Sequence, residues 1–297
     1  MTYARLALLL VSPFAYLVLC AFAGALLAYP LHFVLPASWD YQTLVFKGSQ
    51  TLMILGLIPL GRYLGMGWAD VGLACPRQET LSQLRRGFGY GALMLGLHVL
   101  ALMLLDVRRF DPEKLQLARI ASLSAKGALI GLGVALIEEP VFRGFLLGVL
   151  HRRARRVVAV LVASGYFAGL HYLKTGIHPN YAEVRWDSGI IIVVDAFSNL
   201  HQIYLDSFLA LFAAGAFLCC VRLLAPAKNF GYCLGIHAGW VFVIKSTNPL
   251  GFCNLQSPWV YSVSYFDGNI GYFSAAWTTV LIGILAFKIA KQTQATG

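Results

Sequence analysis

The chain has 297 residues, of which 59% are hydrophobic and only 12% are charged. A soluble domain carries roughly 25% charged residues, so this chain lacks the polar surface that a globule in water needs. Its formal charge of +10 comes mostly from Lys and Arg residues between apolar runs, where they orient a membrane protein and meet anionic lipid head groups. Composition therefore predicts an integral membrane protein whose partner is the lipid bilayer, with no nucleic acid.

Apolar segments that approach the ~20 residues needed to span a bilayer recur along the chain. They cover 6–29, 42–64, 88–106, 127–150, 157–173, 206–224, 229–245 and 272–290. The mixed-charge stretch 107–126 is predicted to be interfacial, and the long connection 174–205 contains Ile190–Val194, an apolar run too short to span. We interpret that run as a re-entrant or cap element. The predicted fold class is an all-α polytopic membrane protein of about eight transmembrane helices, forming a single membrane domain over 1–297.

The distribution of Lys and Arg in the connections predicts the orientation of the chain. An even number of spans puts both termini on one side. That side holds the basic residues between Arg62 and Arg86 and the cluster 152–156, while the smaller group 108–126 lies opposite. We therefore expect a multi-pass protein of the cell membrane with both termini in the cytoplasm.

Two adjacent carboxylates and a guanidinium interrupt the fourth segment, at Glu138, Glu139 and Arg143. Each ionised group at bilayer depth costs about 2.5–3.5 kcal/mol, so a helix does not need them merely to sit in lipid. Glu139 and Arg143 are four residues apart and can pair on one helix face, whereas Glu138 points about 100° away. Pro140 removes a backbone hydrogen bond and favours a kink. A buried ion pair that fixes helix packing would explain Glu139 and Arg143, but not Glu138.

Two histidines in later segments, His171 and His237, fall at comparable depth. Counted from the basic turn at Arg153, Glu138 and His171 both lie roughly 22–27 Å away along their helices. His237, counted from Lys228, lies somewhat shallower at about 14 Å. Each histidine alone would be explained by a hydrogen bond to a neighbour. Carboxylate and imidazole groups from three segments in one layer instead indicate a functional site.

Such a layer is suited to the activation of water. A carboxylate in an apolar pocket can act as a general base, and imidazole can orient the water or stabilise the oxyanion that forms on a carbonyl. The set Glu138, His171 and His237 could also ligate zinc, although the HExxH spacing of common zinc peptidases is absent from the sequence. Both interpretations stay open at this point.

The order of these motifs resembles that of a known family. Glu138-Glu139-x-x-x-Arg143, then Phe167-x-x-x-His171, then His237 on a later helix resemble the three motifs of the CPBP family of intramembrane proteases, which includes the CAAX-processing protease Rce1 and bacterial Abi-type proteins. The motifs define a predicted catalytic core at 127–245. Three ordered motifs on separate predicted helices are a specific signal, whereas EExxxR alone would be a weak one.

The resemblance implies an endopeptidase whose site lies in a conical cavity within the membrane, most typically a prokaryotic inner or plasma membrane. It implies that Glu138 activates water with help from His171, that His237 helps to stabilise the oxyanion, and that Glu139 and Arg143 support the geometry. The implied substrate is a membrane-associated or prenylated peptide or protein. We favour a glutamate mechanism that requires no cofactor, with zinc as the alternative.

One position departs from the family pattern. The third motif usually carries Asn or Asp four residues after the histidine, and this chain has Val241 there. An apolar side chain cannot donate to an oxyanion, so another donor substitutes, or turnover is lower, or the substrate differs. Asn229, Tyr232 and Trp240 are the nearby candidate donors.

Two other classes of function compete with the protease. A non-catalytic membrane protein that binds or chaperones a partner through 174–205 is favoured by Val241 and disfavoured by the intact motif residues. A proton-coupled transporter is the other alternative, because intramembrane Glu and His also serve as proton relays, although no internal repeat is visible.

Overall fold

The computed structural model describes residues 3–224, 229–264 and 268–295, and Lys228, from which the depth of His237 is counted, lies outside them, as do 225–227 of the predicted core. Every predicted apolar segment is helical. The helices are α1 Tyr3–His32, α2 Tyr41–Tyr63, α3 Arg77–Leu104, α4 Leu117–Glu139, α5 Leu147–Arg153, α6 Arg156–Leu170, α7 Ser188–Ser198, α8 Leu205–Leu224, α9 Gly231–Thr247 and α10 Tyr272–Ala295. A π-helical segment, Pro140–Leu146, joins α4 to α5 without a break.

Within the described part of the chain, five helical runs are long and apolar enough to cross a membrane by length and composition. They are Leu10–His32, Tyr41–Tyr63, Arg77–Leu104, Leu117–Arg153 and Leu205–Leu224. The prediction of an all-α polytopic membrane protein is thereby confirmed. Of the other predicted spans, α10 has 24 residues, whereas two helices are short: α6 has 15 residues and α9 has 17. At 1.5 Å per residue these cover about 22–26 Å, less than the ~30 Å hydrocarbon core.

The predicted helix starts are wrong in two places. α4 begins at Leu117, ten residues before the predicted start at 127, so much of the stretch expected to be interfacial is helix. α3 begins at Arg77, although apolar residues start only at 88. The first turns of α3 are polar and those of α4 are mixed, and a helix can extend beyond its apolar part. Hydropathy therefore locates the membrane-compatible stretch and not the ends of the helix.

The described residues form two compact units, each with its own apolar core. The first contains Met1–Met66 and Gly169–Ile203, and the second contains Gly67–Ala168 and Tyr204–Gly297. The single membrane domain expected over 1–297 stays a prediction.

In the first unit, α1 packs along α2, and the short α7 packs on α1. The core residues include Ala25, Val45 and Ile192, all fully buried. The apolar run of the connection 174–205 is therefore a short helix inside a packed unit. Gly189 allows α7 to approach α1 closely, because a Cβ atom at this position would lie 2.6 Å from the Ala25 carbonyl oxygen.

In the second unit, α9 lies between α3 and α4. Glycines make the approach close on both sides. A Cβ atom at Gly235 would lie 2.7 Å from the backbone nitrogen of Phe88 on α3, and one at Gly127 on α4 would lie 2.6 Å from the Ser246 hydroxyl on α9. Small residues four apart allow membrane helices to pack in this way. A two-stranded antiparallel sheet, β1 Arg108–Phe110 with β2 Gly251–Cys253, joins the connection after α3 to the one after α9.

Substitution of Gly91 tests the close packing of α9. A Cβ atom at Gly91 would lie 2.8 Å from the Ile236 Cα atom, so we expect Gly91→Ala to destabilise the protein by about 1–3 kcal/mol through overpacking. A Cβ atom at Gly89, on the same helix, would meet open space, with no neighbouring atom of the described residues within 4 Å. Gly89→Ala should therefore be neutral or stabilising. Unfolding in detergent, followed by circular dichroism, compares the two variants, and equal midpoints would contradict the packing described.

Candidate functional site

The acidic pair stands where an α-helix turns into a π-helix. Glu138 and Glu139 end α4, and Arg143 lies within the π segment Pro140–Leu146. Pro140 has no N–H group, so the bond to the carbonyl of Leu136 that would continue the α-helical ladder cannot form. A wider, π-helical ladder follows instead, and the kink at Pro140 stays a prediction. Single-turn π segments within α-helices occur frequently at functional sites.

Glu139 is the buried member of the pair. Its side chain and that of Arg143 are both fully shielded from solvent, and Arg143 Nη1 donates to Glu139 Oε1 over 3.1 Å. The expected pairing at i and i+4 is therefore present. His237 on α9 approaches the same oxygen, with Nδ1 2.8 Å from Oε1. One carboxylate oxygen thus connects the first motif to the third.

This contact fixes the orientation of the imidazole. Oε1 already accepts a hydrogen bond from Arg143, and a carboxylate oxygen only accepts, so we infer that the proton of His237 is on Nδ1 and donates to Glu139. The opposite nitrogen, Nε2, then faces Glu138, with 3.8 Å between Nε2 and Oε2. When a carboxylate accepts a hydrogen bond from one ring nitrogen, that bond determines which tautomer is present and so whether the other nitrogen carries a proton.

Glu138 differs from Glu139 in its exposure. Its side chain is 27% exposed, against 0% for Glu139. Its Oε2 atom is itself buried and has no hydrogen-bond partner among the described residues. The gap of 3.8 Å between Oε2 and His237 Nε2 is too long for a hydrogen bond. Glu138 is therefore the carboxylate that can reach a substrate or a water.

Aromatic rings surround the buried charges. The Arg143 guanidinium carbon lies 4.2 Å from the centre of the Phe167 ring, within the range of a cation–π contact. Phe167 also meets His237 edge to face, with 6.0 Å between the ring centres. The first residue of the second motif thus contacts residues of both other motifs. From the sequence, Phe167 served only as a spacing marker, and an aromatic residue at a fixed distance from His171 was the available signal.

His171 follows α6 directly, in the turn after Leu170, and belongs to the unit that contains Gly169–Ile203. Glu138, Glu139, Arg143 and His237 all lie in the other unit, where the structure brings them together. The convergence of His171 on this cluster stays a prediction, as do the catalytic roles of all five residues and the conical cavity.

The nearby candidate donors for the place of Val241 have other partners or exposed positions. The Asn229 side chain accepts from the Gly231 N–H over 2.8 Å, at the start of α9, and donates to the Thr80 hydroxyl over 3.2 Å. Trp240 packs its ring against Phe217, with 5.7 Å between centres. Tyr232 is partly exposed. The Asn229 amide is therefore committed to the start of α9, and the donor that takes the place of the family's polar residue at Val241 stays a prediction.

A catalytic zinc takes three protein ligands, so the residues of the site would have to supply three. Among the residues that the structure describes, no group of three or more His, Cys, Asp or Glu side chains is arranged to hold a metal ion. In the cluster, Glu138 Oε2 and Glu139 Oε2 are buried carboxylate oxygens without a hydrogen-bond partner among the described residues, and His237 Nε2 lies 3.8 Å from Glu138 Oε2. Zinc binding by Glu138, His171 and His237 stays a prediction.

Arg143→Met tests the shared carboxylate. It removes one partner of a buried charge, and we expect a loss of about 3–5 kcal/mol in stability because Glu139 loses its guanidinium. Arg109→Met is the matched control: Arg109 pairs with Asp106 at 2.6 Å, but both side chains are about half exposed, so the loss of stability should be much smaller than for Arg143→Met. Adding Glu139→Gln to Arg143→Met should recover part of the stability. Equal unfolding midpoints for the two arginine variants would contradict the geometry.

Comparison with known proteins gives one family. Residues 121–243 match the family described as type II CAAX prenyl endopeptidase Rce1-like, and this range contains all three motifs. No curated protein and no solved structure matches the chain. The resemblance predicted from the motifs is confirmed over residues 121–243, which match the Rce1-like family within a multi-pass membrane protein.

Proposed function

We propose that this protein is an intramembrane endopeptidase that hydrolyses a peptide bond of a membrane-associated or prenylated substrate with water activated at Glu138. The observation that carries the proposal is the facing pair of Glu138 Oε2 and His237 Nε2, 3.8 Å apart, with the far side of the imidazole held by Glu139. The Rce1-like match over residues 121–243 supports the class of reaction.

The two carboxylates have separate roles in this proposal. Glu138 is partly exposed and has an oxygen with free capacity, so it can hold a water and take its proton. Glu139 has no exposed surface and already accepts from Arg143 and His237. It therefore orients His237 and carries the negative charge that balances a second proton on that ring.

The proposed reaction proceeds in two steps. Glu138 removes a proton from water as the oxygen bonds to the scissile carbonyl carbon, and the carbonyl oxygen becomes an oxyanion. A proton on His237 Nε2 can stabilise that oxyanion, because Glu139 and Nδ1 hold the ring in place. The carbon–nitrogen bond then breaks, and the proton on Glu138 passes to the leaving amine. His171, by resemblance to the family, assists the removal of the first proton.

The charge of one connection supports the proposed orientation of the chain in the membrane. The turn between α5 and α6 carries four exposed arginines, Arg152, Arg153, Arg155 and Arg156. Clustered cations of this kind stay on the cytoplasmic side. We propose that both termini share that side, in a prokaryotic inner or plasma membrane.

A second candidate function is the binding of a membrane partner without catalysis. Val241 favours it, because α9 carries an apolar residue one turn after His237, where the family pattern has a polar one. In that case the site residues would matter for stability and not for turnover. Proton-coupled transport is a third candidate, and a proton-flux measurement in liposomes would reveal it.

Cleavage by variants of the site residues tests the protease. We expect Glu138→Gln and His237→Ala to reduce kcat by about a hundredfold or more, since general-base catalysis contributes about 10²–10⁴. His171→Ala should have a comparable effect. Exposed residues supply the controls, Glu113→Gln and His151→Gln. The purified protein would be given a CAAX peptide with and without its prenyl group, and the products followed by mass spectrometry.

The two peptides also separate the substrate classes. Cleavage of the prenylated form alone assigns a lipid-modified substrate, and cleavage of both assigns a broader peptide specificity. If Glu138→Gln cleaves the peptides as fast as the wild-type protein does, the proposed water activation is wrong.

Val241→Asn tests the departure from the family pattern. A side-chain amide one turn after His237 would add a donor for the oxyanion, and such donors are worth about 10²–10³ in kcat where they are removed. We expect Val241→Asn to raise kcat by about tenfold, with Val241→Leu as the apolar control. An unchanged kcat for Val241→Asn would mean that the oxyanion is fully stabilised without this position.

A further inference from the structure

An acidic residue ends the apolar run of α7. Asp195 directly follows Ile190–Val194, on a helix that buries Ile192, Val193 and Ala196 in the first unit. A carboxylate next to such a run is costly to place unless it has specific partners. Asp195 is not among the residues predicted from the sequence, although a charge at the end of an apolar run was the signal.

The partners of Asp195 hold the chain that follows α6. The Thr175 hydroxyl donates to Asp195 Oδ2 over 2.5 Å. The Asn199 side-chain amide, one turn further along, donates to the same oxygen and to the carbonyl of Lys174, both over 3.1 Å. Two consecutive residues, Lys174 and Thr175, are thereby attached to one face of α7 and its C-terminal turn.

The same chain is held from a second helix. Gln42 near the start of α2 donates its side-chain amide to the Thr175 carbonyl over 2.9 Å. The Thr175 hydroxyl also accepts from the Ile177 N–H over 3.1 Å, so it both donates and accepts. Thr175 is thus fixed by its side chain to α7 and by its backbone to α2, all within the unit Met1–Met66 and Gly169–Ile203.

The segment between His171 and the anchored residues Lys174 and Thr175 is short and internally hydrogen-bonded. The Tyr172 N–H donates to the Gly169 carbonyl over 3.1 Å, and the Leu173 N–H donates to the Leu170 carbonyl over 3.2 Å. These bonds make a tight turn that begins at the end of α6 and reaches the anchored residues. His171 stands inside that turn, four residues before Thr175, so its backbone is held from both ends.

We propose that Asp195 and Thr175 are positioning residues for His171, which they hold by anchoring the turn after α6 to α7 and α2. The catalytic importance of that position rests on the proposed function, in which His171 assists Glu138. The geometric part concerns the first unit alone and can be tested without a substrate. α7 thereby becomes the element that sets where one catalytic imidazole stands.

The test compares a variant that lacks the Thr175 hydroxyl with a variant that keeps a hydroxyl at this position. Thr175→Val removes both hydrogen bonds of the side chain at nearly the same volume, and Thr175→Ser restores the hydroxyl. Asp195→Ala removes the acceptor from α7. Two controls have the same chemistry elsewhere in the first unit: Thr51→Val, whose hydroxyl bonds to its own helix at Lys47, and Asp187→Asn, which pairs with Arg185 at the start of α7.

The first measurement is the rate at which diethyl pyrocarbonate modifies His171, followed by mass spectrometry with His237 as the internal reference. We expect Thr175→Val and Asp195→Ala to change the rate at His171 by about fivefold, the equivalent of one hydrogen bond, and to leave His237 unchanged. In Thr175→Ser and in both controls, His171 should be modified at the same rate as in the wild-type protein. Should Asp195→Ala fail to fold, Asp195→Asn, which keeps one acceptor oxygen, takes its place.

The second measurement is cleavage of the CAAX peptide. Misplacement of a catalytic group lowers kcat, so we expect a loss of about tenfold or more for Thr175→Val with KM nearly unchanged, and recovery in Thr175→Ser. Unchanged modification of His171 in both Thr175→Val and Asp195→Ala would overturn the positioning role, whatever the activity. If no form of the protein cleaves any peptide, the proposed function fails, and the modification rates still decide the positioning role.

Discussion

One buried oxygen atom organises the second unit. Glu139 Oε1 accepts from Arg143 in the π segment and from His237 on α9, so a single charge joins the acidic motif to the last histidine. A charge taken out of water in this way is stable only with its partners in place. Stability is therefore coupled at Glu139 to the geometry of the proposed site: any change that releases Glu139 also releases the orientation of the imidazole that faces Glu138.

The helix packing makes that coupling rigid. α9 carries His237 between α3 and α4, and glycines on these helices leave no room for a methyl group at the points of contact. Because close-packed interiors do not deform smoothly, His237 has few positions available. In the proposed mechanism, the partly exposed Glu138 reacts, and the buried Glu139 and Arg143 support the geometry without touching the substrate.

The sequence predicted what depends on local spacing. The pairing of Glu139 with Arg143 follows from their i, i+4 separation, and the helical segments follow from hydropathy. The depth comparison also placed Glu138 and His237 in one layer, but it did not give the individual contacts between distant parts of the chain. The packing of Phe167 on Arg143, the approach of His237 to both carboxylates and the anchoring of Thr175 by Asp195 depend on how helices meet. The early start of α4 was missed because its first turns mix apolar residues with Arg119 and Lys126 and so carry a weak hydropathy signal.

The π segment has a consequence for how such a chain can change over evolution. A π turn arises when one extra residue is accommodated in an α-helix, so the two ends of the run Leu117–Arg153 are offset by about 100° relative to an uninterrupted helix. Substitutions within Pro140–Leu146 keep this offset, whereas the loss of a single residue would rotate the acidic pair away from the rest of the helix. The length of this segment is thus under tighter constraint than most of its side chains.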